Sequence, residues 1–227
     1  MKINPNHPWC VDYHEARAIQ QALQKQVDLT DRVAFSSITV VAGADISLCH
    51  QENLAFVAVL LFSYPDFDIV EEVFCTEETN FPYRSGLLSF REAPPLIKAF
   101  EKLSRVPDIV IFDGQGIAHP RRLGLASHMG ILLNIPAIGC AKTRLIGEYE
   151  PVGCEKGSMS DLFYRSEIVG KVLRSKTGIN PLFVSPGHRI GIESAARMVL
   201  SCCKNYRLPE PTRIAHNKVN EFRRKGF

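Results

Sequence analysis

Two short apolar runs, residues 109–112 and 136–140, stand one helix-length apart, with residues 121–134 between them. Four or five apolar residues between polar punctuation read as a strand buried on both faces. Strand, crossover and strand at this spacing predict a parallel pair, which commits this half of the chain to an α/β sheet. Ligands of such sheets collect beyond the carboxyl ends of the strands. The first run ends there in Asp113, followed by Gly114, Gln115 and Gly116 and then by His119. The Gly-Gln-Gly sequence lacks the third glycine of a dinucleotide fingerprint, and no Gly-Lys-Ser/Thr follows, so neither phosphate-cradling motif is present. On its own, Asp113-Gly114 is equally a turn or helix-cap signal.

Upstream, residues 11–27 place Val11, Ala18, Ile19, Ala22, Leu23 and Val27 near one helical face. Residues 35–47 read as a strand, with Ile38, Val40 and Ala42 alternating before Gly43-Ala44-Asp45. Residues 54–62 and 69–76 read as two more, and the short polar links between the three predict an antiparallel meander. Pro94-Pro95 suits the first turn of a helix running to about residue 105, with Glu92 at its start. Tyr83 lies in a loop rich in proline, glycine and serine, where an aromatic is a candidate to stack on or wedge against a base. After residue 150, residues 162–164, 167–173 and 182–184 read as short strands. Residues 185–188 lead into a helix over 190–204, whose first amides suit either a phosphate or an ordinary cap. A last helix spans 212–222, and residues 217–227 are expected to fray as a basic tail.

A chain of 227 residues suits one domain, with residues 1–30 as an N-terminal packing helix. No run approaches the roughly 20 apolar residues a bilayer crossing needs, and residues 1–10 lack the apolar centre of a signal peptide. Seven cysteines with no Cys-x-x-Cys pair fit reduced thiols in a cytoplasmic protein. Residues 1–107 carry 9 Lys+Arg against 14 Asp+Glu, and residues 108–227 carry 18 against 10. The basic half suits a polyanion such as nucleic acid, or a solvated surface.

Meander, helix, strand, helix, strand is the order of a ribonuclease H-like fold: an α/β architecture with a mixed five-stranded central sheet flanked by helices. The first strand then lies beside the fourth. Asp45 and Asp113 come to the same sheet end, on strands about 4.8 Å apart. Glu92 offers a third carboxylate. Carboxylates this close repel, and a divalent cation removes that cost. Hard oxygen donors suit Mg²⁺, with Mn²⁺ as a substitute. Such a cluster orients a water for attack on a phosphodiester.

The blocks around Gly43-Ala44-Asp45, Pro82-Tyr83 with Gly86, Leu88-Ser89-Phe90-Arg91-Glu92, Asp113-Gly114-Gln115-Gly116, residues 119–128 and Gly139-Cys140-Ala141-Lys142 closely resemble the endonuclease V family. Residues 174–176, 180–183, 187–189 and 206–213 match its later motifs in the same order. This resemblance implies a DNA-repair endonuclease that recognises deaminated bases, chiefly deoxyinosine, in double- or single-stranded DNA. It would hydrolyse the second phosphodiester 3′ of the lesion in a Mg²⁺-dependent reaction, leaving 3′-hydroxyl and 5′-phosphate. It further implies Asp45, Asp113 and Glu92 as the metal cluster, His119 and Lys142 near the scissile phosphate, and His216 as support for water or metal. Tyr83 would tip a wedge that fills the space left by the extruded nucleotide. Backbone groups around Gly86, Leu88, Gly114 and Leu125, with Leu145 nearby, would read the base. Family-like enzymes are monomers. Arg84-Ser85 depart from the wedge pattern, which commonly has a proline before its glycine. Rival readings are the same chemistry on inosine in RNA, a lesion binder without catalysis, and another ribonuclease H-like nuclease such as a junction resolvase.

Overall fold

The computed structural model describes residues 3, 5, 7–49 and 51–226. Residues 1, 2, 4, 6, 50 and 227, parts of the predicted N-terminal segment and basic tail among them, lie outside the described residues. After the helix α1 (Tyr13–Leu23) come three long strands, β1 (Val40–Cys49), β2 (Leu54–Ser63) and β3 (Ile69–Glu78). Helix α2 (Leu88–Glu101), strand β4 (Ile109–Phe112), helix α3 (Leu125–Leu133) and strand β5 (Ala137–Ala141) follow. Strands β6 (Met159–Tyr164), β7 (Glu167–Leu173) and β8 (Leu182–His188) precede the helices α4 (Ile192–Cys202) and α5 (Glu210–Lys225).

One sheet holds all eight strands, in the order β3-β2-β1-β4-β5-β8-β7-β6. The meander is antiparallel, and β1, β4 and β5 are mutually parallel, as the ribonuclease H-like reading requires. The sheet has eight strands rather than the expected five. Strand β8 pairs antiparallel with the edge of β5, and β7 and β6 continue outward, so the apolar β5 is not left as an open edge. Alternation splits the core between the two faces. Val40, Ala42 and Ala44 pack with Phe100, Phe112 and Met129 under α2 and α3. Val41 and Ile111 pack with Leu60, Val199 and Val219 under α4 and α5. All four residues of β4 are buried, as its unbroken apolar run predicts.

Several boundaries differ from the sequence reading. Strand β1 starts at Val40 and continues past Asp45 to Cys49, while Phe35–Ser37 form one 3-10 turn. Helix α2 begins at Leu88, six residues before the proline pair, which lies inside it. Gly86, at φ +76°, reverses the chain there and lets the helix start early. The prolines remove two helical N–H donors, and the carbonyl of Pro95 faces the thiol of Cys75 at 3.9 Å. Glu92 therefore sits in the second turn of α2. Residues 185–188, expected as a lead-in to a helix, are the end of β8. Residues 217–225, expected to fray, continue α5 as a regular helix. Among the described residues no helix is long and apolar enough to cross a membrane.

Candidate active site

Register sets the centre of the site. The last parallel pair between β1 and β4 is Ala44 with Phe112, so the next step along both strands brings Asp45 beside Asp113. Helix α2 adds Glu92. Desolvation, then the charges of Asp45 and Asp113, push the Glu92 carboxyl up to about 8. Burial raises Asp45 as well; the His216 hydrogen bond opposes the shift and the charge of Asp113 adds to it.

Two cationic or polar partners hold the aspartates. Lys142, one residue past β5, donates from Nζ to Oδ2 of Asp113 at 2.5 Å. His216, on α5, meets Oδ2 of Asp45 through Nδ1 at 2.8 Å. Asn220, one turn further on, donates from Nδ2 to the backbone carbonyl of His216 at 2.8 Å and stands 3.3 Å from its Nε2. An amide nitrogen only donates, so Nε2 of His216 is the bare acceptor and Nδ1–H faces the carboxylate. Gly43 lets α5 come this close, because a Cβ there would stand 2.2 Å from the carbonyl oxygen of Pro211.

Among the described residues no three His, Cys, Asp or Glu side chains stand as a closed ligand set. The donor chemistry nonetheless fits a hard divalent cation. The charges of Asp45 and Asp113 add to the burial that raises Glu92, and a bound divalent cation would offset that repulsion.

Beside the aspartates opens a cavity of 430 Å³. Tyr83, Gly86, Leu88, Gly114, Leu125 and Leu145 all line it, and so do Asp113, His119 and Lys142. Tyr83 is 68% exposed and stands at the rim on the loop before α2. The loop is tied down at one atom. The carbonyl oxygen of Gly86 accepts from Nε2 of Gln20 at 3.0 Å, Nε2 of His119 at 3.0 Å and Nη2 of Arg121 at 2.5 Å. Nδ1 of His119 accepts from the amide of Arg121 at 3.2 Å, which fixes the tautomer with hydrogen on Nε2. Burial foremost, with the charge of Arg121, lowers the His119 pKa to about 4. The imidazole is therefore neutral, and both nitrogens are used inside the protein.

The endonuclease V family profile matches residues 21–217. The chain belongs to the endonuclease V family. It is 49% identical to an endonuclease V of Dehalococcoides mccartyi over 222 residues, 98% of this chain and 99% of that one. The Streptomyces avermitilis endonuclease V crystal structure superimposes with a TM-score of 0.91 at 35% identity, covering 96% of this chain and 95% of that one. A Ciona intestinalis endonuclease V superimposes with a TM-score of 0.83 at 28% identity, covering 93% and 98%; it was solved with a 24-mer DNA containing an inosine followed by a ribo-adenosine. As an endonuclease V, the chain is a nuclease.

Every site residue expected from sequence lies in one region of this endonuclease V. Asp45, Glu92, Asp113 and His216 gather around the sheet end, and Tyr83, Gly86, Leu88, Gly114, His119, Leu125, Lys142 and Leu145 line the adjoining cavity. Sequence reasoning missed Gln20, Arg121 and Asn220. Asn220 was within reach of it, four residues after His216 on a helix. Gln20 and Arg121 meet only through the fold, 101 residues apart, so no local pattern signals them.

Proposed function

We propose that this endonuclease V cleaves DNA carrying deaminated bases, chiefly deoxyinosine, at the second phosphodiester 3′ of the lesion. The observation that carries the reading is the adjacency of three repelling carboxylates to a cavity rimmed by an exposed tyrosine. The inosine-containing DNA in the Ciona complex supports the choice of lesion. Asp45, Asp113 and Glu92 would hold a divalent cation, Mg²⁺ by donor hardness with Mn²⁺ as substitute. Such an ion lowers the pKa of a water and neutralises charge on the phosphate. Lys142, which holds Asp113 and lines the cavity, would offer its amine to the phosphate. His216 holds Asp45 in orientation. Tyr83 occupies the gap left when the base leaves the stack, an exit that costs a few kcal/mol. His119 fixes the wedge loop through Gly86. In the cavity, backbone amides and carbonyls near Gly86, Leu88, Gly114 and Leu125 suit the oxo group and ring N–H of hypoxanthine, which adenine would leave unpaired. We assign the protein to the cytoplasm as a monomer of one domain, consistent with seven free cysteines.

A second reading, inosine in RNA, is favoured by the ribo-adenosine next to the inosine in the Ciona complex. The test is strand cleavage of single-inosine DNA duplex, single-stranded DNA and RNA, with Mg²⁺ or chelator. Metal-dependent nicking one nucleotide past the lesion in DNA is expected, reduced by about 10³-fold or more in Asp45→Ala and Asp113→Ala. Cleavage of RNA alone would replace the DNA reading, and metal-independent cleavage would remove the carboxylate roles.

A further inference from the structure

A second cleft, of 370 Å³, opens on the far side of the wedge anchor and plays no part in the cavity described above. Four arginines line it: Arg17 from α1, Arg121 and Arg122 from the loop before α3, and Arg165 from the turn between β6 and β7. Gln21 and Gln24 line it too, and among the described residues no carboxylate does. Tyr164 forms its aromatic wall, with the guanidinium carbons of Arg122 and Arg165 at 5.5 and 5.1 Å from the ring centroid.

The basic residues are displayed by design of the backbone. Arg17 and Gln21 lie four residues apart on the exposed face of α1, and Gln24 follows as its C-cap. Arg122 and Arg165 both adopt positive φ, at 56° and 53°, which turns them out of the regular loop path. Arg122 is partly neutralised by Glu167 at 2.5 Å, an ion pair whose glutamate is largely exposed and whose bond is readily exchanged. Arg121 joins this cleft to the lesion cavity. Its Nη2 holds the carbonyl of Gly86 and its Nε holds Gln20.

The geometry points to this cleft as a track for the phosphodiester backbone of the nucleic acid beside the extruded base. Planar guanidinium groups match phosphate oxygens in pairs. A string of them in an open trough suits a repeating anion rather than a single enclosed one. Continuity with the cavity through Arg121 puts the strand there when a base occupies the pocket, and phosphate on Arg121 would then brace the wedge loop. The inference rests on the proposed nucleic-acid function, and it deepens that reading by naming a surface that touches neither the base nor the bond cut.

The test measures binding of a 30-mer duplex, undamaged or carrying one deoxyinosine, against salt concentration in chelator, by fluorescence anisotropy. The variant is Arg17→Gln/Arg165→Gln, two exposed side chains outside the core. The control is Lys98→Gln/Lys102→Gln, which makes the same change in net charge on α2 and just after it. Each lost phosphate contact flattens the logarithmic salt slope by about 0.9 on duplex DNA. The cleft variant is expected to lose about 2 from the slope and to bind several-fold more weakly on both duplexes, while the control matches the wild type. An unchanged slope in the cleft variant, or an equal loss in the control, overturns the track. Failure of the lesion reading looks different: the wild type would bind both duplexes equally, and the slope comparison on undamaged duplex would still decide the cleft.

Discussion

At the scale of single residues, the two aspartates were legible from the strands that carry them, whereas the role of His119 was not. Asp113 follows an apolar run and Asp45 interrupts an alternating one, and both stand just past the last β1–β4 pair although β1 itself runs on to Cys49. His119 in sequence is one imidazole beside a loop, equally suited to proton transfer or to scaffolding. The structure gives both nitrogens partners and a pKa of about 4. From this follows a pH prediction. Above about pH 5 the ring stays neutral, so it changes no charge between pH 6 and pH 8. His119→Gln should lower cleavage, by loosening Gly86, by the same factor at both pH values. A ratio of wild-type to variant kcat/KM that changes across this range would mean that His119 titrates during the reaction.

At the scale of elements, type and order were readable and limits were not. The meander and the parallel unit follow from period and spacing, which depend on local sequence. The proline pair misled because proline marks a first turn only when nothing else fixes the start. Here Gly86 and the buried side chains of Leu87 and Phe90 fix it earlier, and packing of α2 on β2 and β3 tolerates two missing donors. The tail misled for the opposite reason. Its charges read as solvated, but Val219 is buried against the sheet, and Arg223 donates to Ser47 Oγ and the Leu48 carbonyl at 3.1 and 2.9 Å. Helix α5 thus belongs to the site it covers. Gly43→Ala should test that link. A Cβ 2.2 Å from the Pro211 carbonyl forces the helix start outward, at a cost of about 1–3 kcal/mol, and draws His216 from Asp45. Chemical denaturation should show the loss, and cleavage should fall further than the stability change explains. A variant of full stability and activity would mean that α5 shifts without carrying His216 along.

At the scale of the whole molecule, the N-terminal segment closes the fold from outside, which no local pattern announces. Ile3 is buried in the core under α2 and α3. His7 and Trp9 stack near Phe90 and His128, with Trp9 6.0 Å from Phe90 and 5.4 Å from His128. A chain of hydrogen bonds crosses this contact. Nδ1 of His7 donates to the carbonyl of Pro8 at 2.8 Å, its Nε2 meets Nε2 of His128 at 2.8 Å, and Nδ1 of His128 meets Oγ of Ser89 at 3.0 Å. Ser89 lines the cavity, so the segment supports α2 at the floor of the site. With both rings neutral, His128 Nε2–H donates to Nε2 of His7 and Nδ1 of His128 accepts from the Ser89 hydroxyl. Burial, then the His7 charge, lowers His128 to about 3, and burial lowers His7. The unfolded chain, with His near 6.5, then binds more protons than the folded one between pH 6.5 and pH 3. The stability that His128 contributes is therefore complete above pH 6.5 and lost as pH falls through that window, by about 1.4 kcal/mol per unit for one ring. Denaturation of wild type and His128→Gln at pH 7 and pH 5 should show the wild type losing about 2 kcal/mol relative to the variant. Deleting residues 1–8 removes Ile3 from the core and His7 from its contact with His128, so it should lower stability at both pH values and shrink the pH-dependent difference. Parallel pH dependence in wild type and His128→Gln would instead locate the acid sensitivity elsewhere in the molecule.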